Sequence, residues 1–408
     1  MASGFKISHI SSGFIAVLVG YSSSVAIIFQ AAYAAGATPT ELASWMWALG
    51  IGMGASCIGL SLRYRTPVLT AWSTPGAALL VTSLSGLSMN QAIGAFLFAS
   101  LLITVSGLTG WFQKIMQYIP RHIAAAMLAG ILIRFGMELF MAMQSQWLLV
   151  GFMFITFLLG RVWLPRYTVP LALAVGVACA GIQGMLHLEV LDWTPAMPLL
   201  MMPDFSASAL IGVGIPLFIV TMTSQNVPGL AVLRANGYET PASPLISWTG
   251  ATGLLLGPFG GYSFNLAAIT AAICMSQDAD PDPQKRYMAS VWAGIFYLTT
   301  GVFGATVVGL FTAFPAELVA AIAGLALLGT IGSSLAGALA DENGREAALV
   351  TFMGTASGLS FLGIGSAFWG LILGIAVHLL AVRQSRATNT SAAGSLATNP
   401  APGSTNSR

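Results

Sequence analysis

Charge is what this 408-residue chain has least of. Only 7% of its residues are charged, 13 acidic and 15 basic, against roughly 25% in an ordinary soluble domain. A chain this poor in charge and 56% hydrophobic cannot hide its apolar surface in a water-surrounded core, so its solvent is lipid. The formal net charge of +2 gives no footing for a nucleic-acid partner. Cysteine is scarce as well. Cys57, Cys179 and Cys274 all fall inside apolar runs, which excludes a disulfide framework and leaves them as small core residues. Missing too are a nucleotide loop, a metal-ligand cluster and a Ser-His-acid set, so neither an enzyme nor a cofactor is expected. The acidic run Asp278-Ala279-Asp280-Pro281-Asp282 lacks the remainder of a calcium loop and reads as a solvated loop. No cleavable leader is expected, because the first apolar stretch continues for about 25 residues, long enough for a membrane helix.

What the chain has instead is apolar length, punctuated by 46 Gly and 19 Pro. Apolar windows fall at 10–35, 41–61, 67–83, 89–112, 119–141, 145–161, 167–187, 208–233, 241–257, 260–276, 286–312, 315–338, 347–363 and 365–382. A full span needs about 20 residues, so the third, ninth, tenth and last two are short or close-set. With the N-terminus inside, the cytoplasmic connections carry Arg63, Arg65, Lys114, Arg121, Arg161, Arg166, Arg234, Lys285, Arg286, Arg345, Arg383 and Arg386. The opposite connections carry Glu41, Asp192, Asp204 and Glu317 and no Lys or Arg. That is a positive-inside pattern with both termini cytoplasmic, broken only by Arg134 within a span. The expected fold class is an all-α polytopic membrane protein of 14 transmembrane segments, a 7+7 inverted repeat. The tail, 387–408, is Ser, Thr, Ala, Asn, Pro and Gly with few bulky apolar residues and is expected to be disordered.

Two interrupted segments echo each other, third in each half: Thr70-Ala71-Trp72-Ser73-Thr74-Pro75-Gly76-Ala77-Ala78 and Gly260-Gly261-Tyr262-Ser263-Phe264-Asn265-Leu266-Ala267-Ala268. They align on Ser73 and Ser263. Irregular backbone persists in a bilayer only where protein buries it or a cavity needs it, so paired breaks point to a solute site near the midplane. Packing kinks between helices are the alternative. Thr74 is placed to cap and Pro75 suits the first helical position. The N–H groups of Gly76 and Ala77, with those around Asn265 and Leu266, then face the cavity. Two helix N-termini aimed at one point suit an anion.

A second constellation, Thr221-Met222-Thr223-Ser224-Gln225-Asn226-Val227-Pro228-Gly229, interrupts the eighth span with polar groups and a Pro-Gly break. Thr221 and Thr223 read as bonding locally, Gln225 and Asn226 as uncharged ligand contacts. Tyr21, Ser22, Ser23, Ser24 and Gln30 make a polar patch in the first span, either cavity wall or helix–helix glue. Arg134 and Glu138 lie one turn apart inside the fifth span and are either a functional pair or a structural bridge. His378, near the inner end of the last span, reads as an interface residue ahead of a proton carrier.

Through Val68–Ala77 and Thr223–Gly229 the chain resembles the bacterial benzoate:proton symporter family, the BenE type. Ala267–Cys274, Ala293–Leu298 and Phe361–Gly370 extend the resemblance over nearly everything but the tail. That family is similar in turn to the uracil permease and sulfate-anion transporter fold. The resemblance implies a core domain (1–118 and 208–312), a gate domain (119–207 and 313–386), short strands before half-helices 3 and 10, elevator-like transport and often a homodimer. It also places Arg134 and Glu138 in the gate. Nucleobase permeases of this fold use glutamates at positions that align with Gln225 and Phe264. A neutral amide and an aromatic suit a ligand bringing its own negative charge and ring, but remove the obvious proton carrier.

The expected function is therefore a secondary transporter in the bacterial inner membrane that imports benzoate, or a similar aromatic carboxylate, with a proton. Its carboxylate lies among Ser73, Thr74, Gly76, Ala77, Ser263, Phe264 and Asn265, and its ring meets Trp72, Tyr262 or Phe264 near Tyr21. Gln225 and Asn226 set orientation; Glu138, Arg134 and His378 are the coupling or gate candidates. The alternatives are a permease for another organic anion or a nucleobase, and a passive anion channel.

Overall fold

The computed structural model describes residues 6–110, 120–186, 195–359, 361–362 and 366–397. Lys114, Asp192 and the Gly363–Gly365 part of the last motif lie outside the described residues. In chain order the elements are α1 (Ile7–Ala34), α2 (Pro39–Tyr64), β1 (Thr70–Trp72), α3 (Thr74–Ser83), α4 (Met89–Leu108), α5 (Arg121–Ser145), α6 (Trp147–Trp163), α7 (Thr168–Ile182) and α8 (Ala207–Arg234). There follow α9 (Ala242–Leu256), β2 (Phe264–Leu266), α10 (Ile269–Met275), α11 (Tyr287–Val302), α12 (Gly304–Thr312), α13 (Ala316–Leu339), α14 (Arg345–Ala356) and α15 (Ser366–Ala397). Among the described residues, 7 helices are long and apolar enough to cross a membrane, and a further pair, α11 with α12, is bent by 69°. Window 286–312, expected as one span, therefore turns sharply at Phe303-Gly304.

Local chemistry sets the helix starts. Thr38 and Glu41 form a reciprocal capping box at α2, with Glu41 accepting from the Thr38 N–H at 2.7 Å and Pro39 in the first turn. Ser88 and Gln91 do the same at α4. The Pro-Gly break expected in the eighth span is not a break. α8 stays helical, with widened π-helical turns at Leu210–Gly214 and Met222–Asn226. Pro216 and Pro228 each lack the N–H for the carbonyl four residues back and crowd it with their ring. Those carbonyls, of Gly212 and Ser224, lie in the widened turns, which accommodate each proline within one continuous helical span.

β1 and β2 pair antiparallel, Thr70 opposite Leu266, Ala71 opposite Asn265 and Trp72 opposite Phe264. Each satisfies the other's backbone inside the bilayer, and each leads directly into a short helix, β1 into α3 and β2 into α10. The alignment of Ser73 with Ser263 does not hold. Ser73 follows its strand and caps α3, whereas Ser263 precedes β2 and Ala268 takes the cap position of α10.

The helices pack in two groups. α11 lies on α1 and α2, α9 on α4, and α1 on α3 and α10; α13 and α14 lie on α5, α14 on α15, and α6 on α7. Small residues permit the close crossings: Gly50 meets Gly301 backbone to backbone, and Gly324 sits on Phe135 and Leu139. α1 meets α7 and α13, and α3 meets α5, across the seam between the groups.

α15 is described as far as Ala397, and residues 398–408 of the tail lie outside the described residues. One expectation about a polar segment is overturned. The acidic loop is not simply solvated. Asp280 is fully buried, paired with Lys6 at 2.9 Å and His9 at 2.8 Å, and accepts from the Asp282 N–H at 2.9 Å. Arg286 donates to the Asp280 and Met275 carbonyls at 2.7 and 2.9 Å. The cluster fastens the start of α1 to the loop that follows α10. Burial pushes the Asp280 carboxyl up, but the bonds from Lys6, the Asp282 N–H and His9, with the Lys6 charge, outweigh it and hold the group down at about 2. Its stabilisation is present above the unfolded value near 4 and is lost as pH falls through 4 towards 2. Asp280→Asn is expected to cost about 3 kcal/mol at pH 7. The Tm gap between variant and wild type, read by tryptophan fluorescence, should close on acidification; a gap unchanged at pH 3 counts against this pairing.

Candidate functional site

One cavity of about 480 Å³ opens on the seam between the two groups, within the range of small-molecule sites. α1 lines it with Gly20, Ser23 and Ser24; the β1–α3 junction with Trp72, Thr74 and Pro75; α8 with Ser224, Gln225 and Pro228; and the start of α10 with its cap residue Ala268, Ile269 and Thr270. Tyr297 of α11 joins them. From across the seam come Leu128 of α5, Val169 and Pro170 of α7, and Leu327, Thr330 and Ser333 of α13. No Asp, Glu, Lys, Arg or His is among the described residues lining it. Its polarity is therefore that of hydroxyls, one amide and backbone.

Three of the expected contacts face this space: Trp72, Thr74 and Gln225. The side-chain polar atoms of Thr74, Ser224, Gln225, Thr270 and Thr330 have no protein hydrogen-bond partner among the described residues. Thr74 N–H also bonds no protein acceptor among the described residues. Trp72 is braced from behind: its indole N–H donates to Ser24 Oγ at 2.7 Å, and Tyr21 packs edge-on at 4.8 Å between ring centroids. Tyr21 thus supports the cavity wall and does not line it.

The other expected contacts hold the site together from outside. Ser73, not Thr74, is the N-cap of α3, its Oγ accepting from Gly76 N–H at 3.0 Å while Ala77 N–H donates to Ser73 O at 2.8 Å. The Gly76 and Ala77 donors are consequently occupied, contrary to expectation. So is that of Leu266, which donates to Asn226 Oδ1 at 2.9 Å, while Asn226 Nδ2 donates to Met222 Sδ at 3.1 Å. Asn226 is a fully buried strap from α8 to β2. Asn265 is another. With its amide turned to satisfy both ends, it accepts from Ser73 N–H at 3.0 Å and donates to Leu266 O at 3.1 Å. Tyr262 donates to Ser73 O at 3.0 Å. Ser263 and Thr221 bond each other at 2.9 Å, and Thr223 bonds the Ile219 carbonyl at 2.8 Å. The Phe264 ring is buried beside Gly52 and away from the cavity.

The three titratable candidates stand elsewhere. Arg134 and Glu138 pair on the exposed face of α5. His378 packs on His122, ring centroids 5.0 Å apart, with Asp341 3.7 Å from the His122 Nδ1. The sequence reading missed Thr270, Tyr297, Thr330 and Ser333. For Thr330 and Ser333 a signal existed, as isolated hydroxyls in the long apolar run of α13, but only the fold brings them opposite α3 and α8.

Known proteins supply the remaining findings. Residues 3–380 match the family described as benzoate membrane transport protein, BenE. The chain is 50% identical over 376 residues to the inner membrane protein YdcO of Escherichia coli (strain K12), covering 91% of this chain and 96% of that one. It is 41% identical over 379 residues to the benzoate membrane transport protein of Acinetobacter baylyi, covering 93% and 96%. The fold is similar to the transmembrane domain of the cyanobacterial bicarbonate transporter BicA, with TM-score 0.59 and 15% identity over 92% of this chain and 96% of that one. It is also similar to SLC26A9, with TM-score 0.56 and 13% identity over 90% and 65%. With its apolar spans, its strand-braced half-helices and a family match along almost its whole length, the chain belongs to the benzoate membrane transport protein family, which are membrane transporters and not enzymes.

Proposed function

We propose that this protein is a secondary transporter that imports benzoate, or a similar aromatic carboxylate, together with a proton across the bacterial inner membrane. One observation carries the reading. An uncharged cavity on the seam between two helix groups keeps the polar atoms of Thr74, Ser224, Gln225, Thr270 and Thr330 without protein partners, beside an indole braced edge-on. These half-buried groups face the cavity without a protein partner, so a ligand entering it can bond them without displacing a protein hydrogen bond. The carboxylate is assigned to Thr74 N–H and hydroxyl at the positive end of α3, with the Gln225 amide beside it. The ring is assigned to Trp72.

In this reading the chain comprises 14 segments in a 7+7 inverted repeat with both termini cytoplasmic. The groups containing α1–α4 with α8–α12, and α5–α7 with α13–α15, are the core and the gate. Sliding of one past the other carries the ligand across, and the working unit is a homodimer. Ser73, Gly76, Ala77, Asn226, Tyr262, Ser263, Phe264 and Asn265 hold the two half-helix entries in place. Proton coupling is taken from the family; Glu138, Arg134 and His378 act from outside the cavity.

Purified protein in liposomes should accumulate labelled benzoate under an inward proton gradient, above empty liposomes, and lose the gain with a protonophore. Gln225→Ala and Thr74→Val are each expected to weaken benzoate binding about tenfold, the worth of a hydrogen bond to a charged group. Unchanged affinity in both, in folded protein, sets this site aside.

A further inference from the structure

α5 carries a charge pair at a depth where a bilayer has no water. Arg134 is the fourteenth residue of the 25 in this helix, about 20 Å from one end and 16 Å from the other at 1.5 Å per residue. That is too deep for a side chain to snorkel to either surface. Arg134 Nε donates to Glu138 Oε1 at 2.8 Å, yet the two side chains are 58% and 31% exposed. Around them the exposed face is apolar, with Met137, Phe140 and Met141, and the opposite face, with Phe135 and Leu139, is buried on α13. The Arg134 Nη donors and Glu138 Oε2 have no protein partner among the described residues. Charged groups inside a membrane face protein or water and pair with one another, so this face needs an occupant that supplies both an acceptor and a donor at the same depth.

We propose that a second copy of this chain is that occupant. A two-fold axis along the membrane normal brings the same helix turn of each copy to the same depth. Arg134 of one copy then reaches Glu138 of the other and the reverse, turning two half-satisfied pairs into one four-residue network. A lipid headgroup is not a competitor, because its phosphate lies at the membrane surface. The inference deepens the homodimer reading by naming its contact, and it does not depend on the ligand.

The test is cross-linking in native membranes. In a chain with Cys57, Cys179 and Cys274 replaced by alanine, Met137→Cys should give a band of twice the monomer mass on oxidation. Leu255→Cys on α9, at a still more exposed position, should not. By single-molecule photobleaching in liposomes, the dimer fraction of the Arg134→Leu/Glu138→Leu variant should fall at least fivefold, with monodisperse elution showing that it folds. Single-step bleaching of the wild type, cross-linking through Leu255→Cys instead, or a dimer fraction unmoved by the double substitution each overturns the proposal. Benzoate uptake measured alongside keeps the questions apart, since dimers without uptake leave this contact standing and remove only the substrate reading.

Discussion

Gln225→Glu is expected to lower benzoate affinity about a hundredfold at pH 7. The substitution keeps the shape of the side chain and adds one negative charge to a cavity with no charged group among its described lining residues. A carboxylate placed within about 4 Å of a bound carboxylate, at an effective dielectric near 20, is opposed by about 4 kcal/mol. Partial relaxation leaves about 3 kcal/mol, or two decades in Kd. Affinity should recover as pH falls and the introduced carboxyl takes a proton, whereas that of Gln225→Ala should follow the wild-type pH profile. Equilibrium binding to the purified variants decides it. A variant within threefold of wild type at pH 7 means that Gln225 does not face the carboxylate, and the placement beside α3 falls with it.

Gly260→Ala is expected to be the most damaging single-methyl change in the chain. Gly260 has φ +96°, in the left-handed region, and an added Cβ would lie inside the Trp45 ring. Left-handed backbone costs a non-glycine residue about 1–2 kcal/mol, and overpacking a full core adds about 1–3 kcal/mol. Trp45 has nowhere to retreat. It is fully buried, packed edge-on to Phe96 at 5.3 Å and beside Tyr262 at 6.2 Å, and Tyr262 holds the Ser73 carbonyl at the start of α3. The strain therefore reaches the β1–α3 junction of the cavity through a chain of packed rings. Melting in detergent should show a clear loss of Tm and of monodisperse yield, set against Gly151→Ala, where an added Cβ meets nothing within 4 Å. A Gly260→Ala protein as stable as that control would show that the Trp45 wall yields.

Most of the secondary structure was legible because its signals are local. Trp72, Ser73, Thr74 and Pro75 spell a strand end, a cap and a helix start within four residues, whereas β2 leads into α10 through Ala268, with no capping side chain and no proline. The misreadings have two causes, a cap shifted by one residue and partners that lie far away in sequence. Gly76, Ala77 and Leu266 looked like free donors because the cap was placed on Thr74 instead of Ser73 and because the partner of Leu266 is distant in sequence. Ser73 Oγ takes the first, but Asn226, far away on α8, takes the third. Asn226 and Gln225 are neighbours of the same chemical class, and the π-helical turn at Met222–Asn226 sends one to β2 and the other to the cavity. Asp280 looked solvated because its partners Lys6 and His9 lie at the other end of the chain, His9 being 271 residues away in sequence.

Composition and hydropathy are sums over neighbouring residues, and by themselves they determined that this chain lives in lipid as a set of apolar helices and that Pro- and Gly-flanked breaks interrupt them. Which polar atoms remain for a ligand is a matter of what is left after every other donor and acceptor has found a partner. Those partners come from segments far apart in the chain, so only the tertiary structure decided that Thr74, Gln225 and the hydroxyls of Ser224, Thr270 and Thr330 are the ones left facing the cavity.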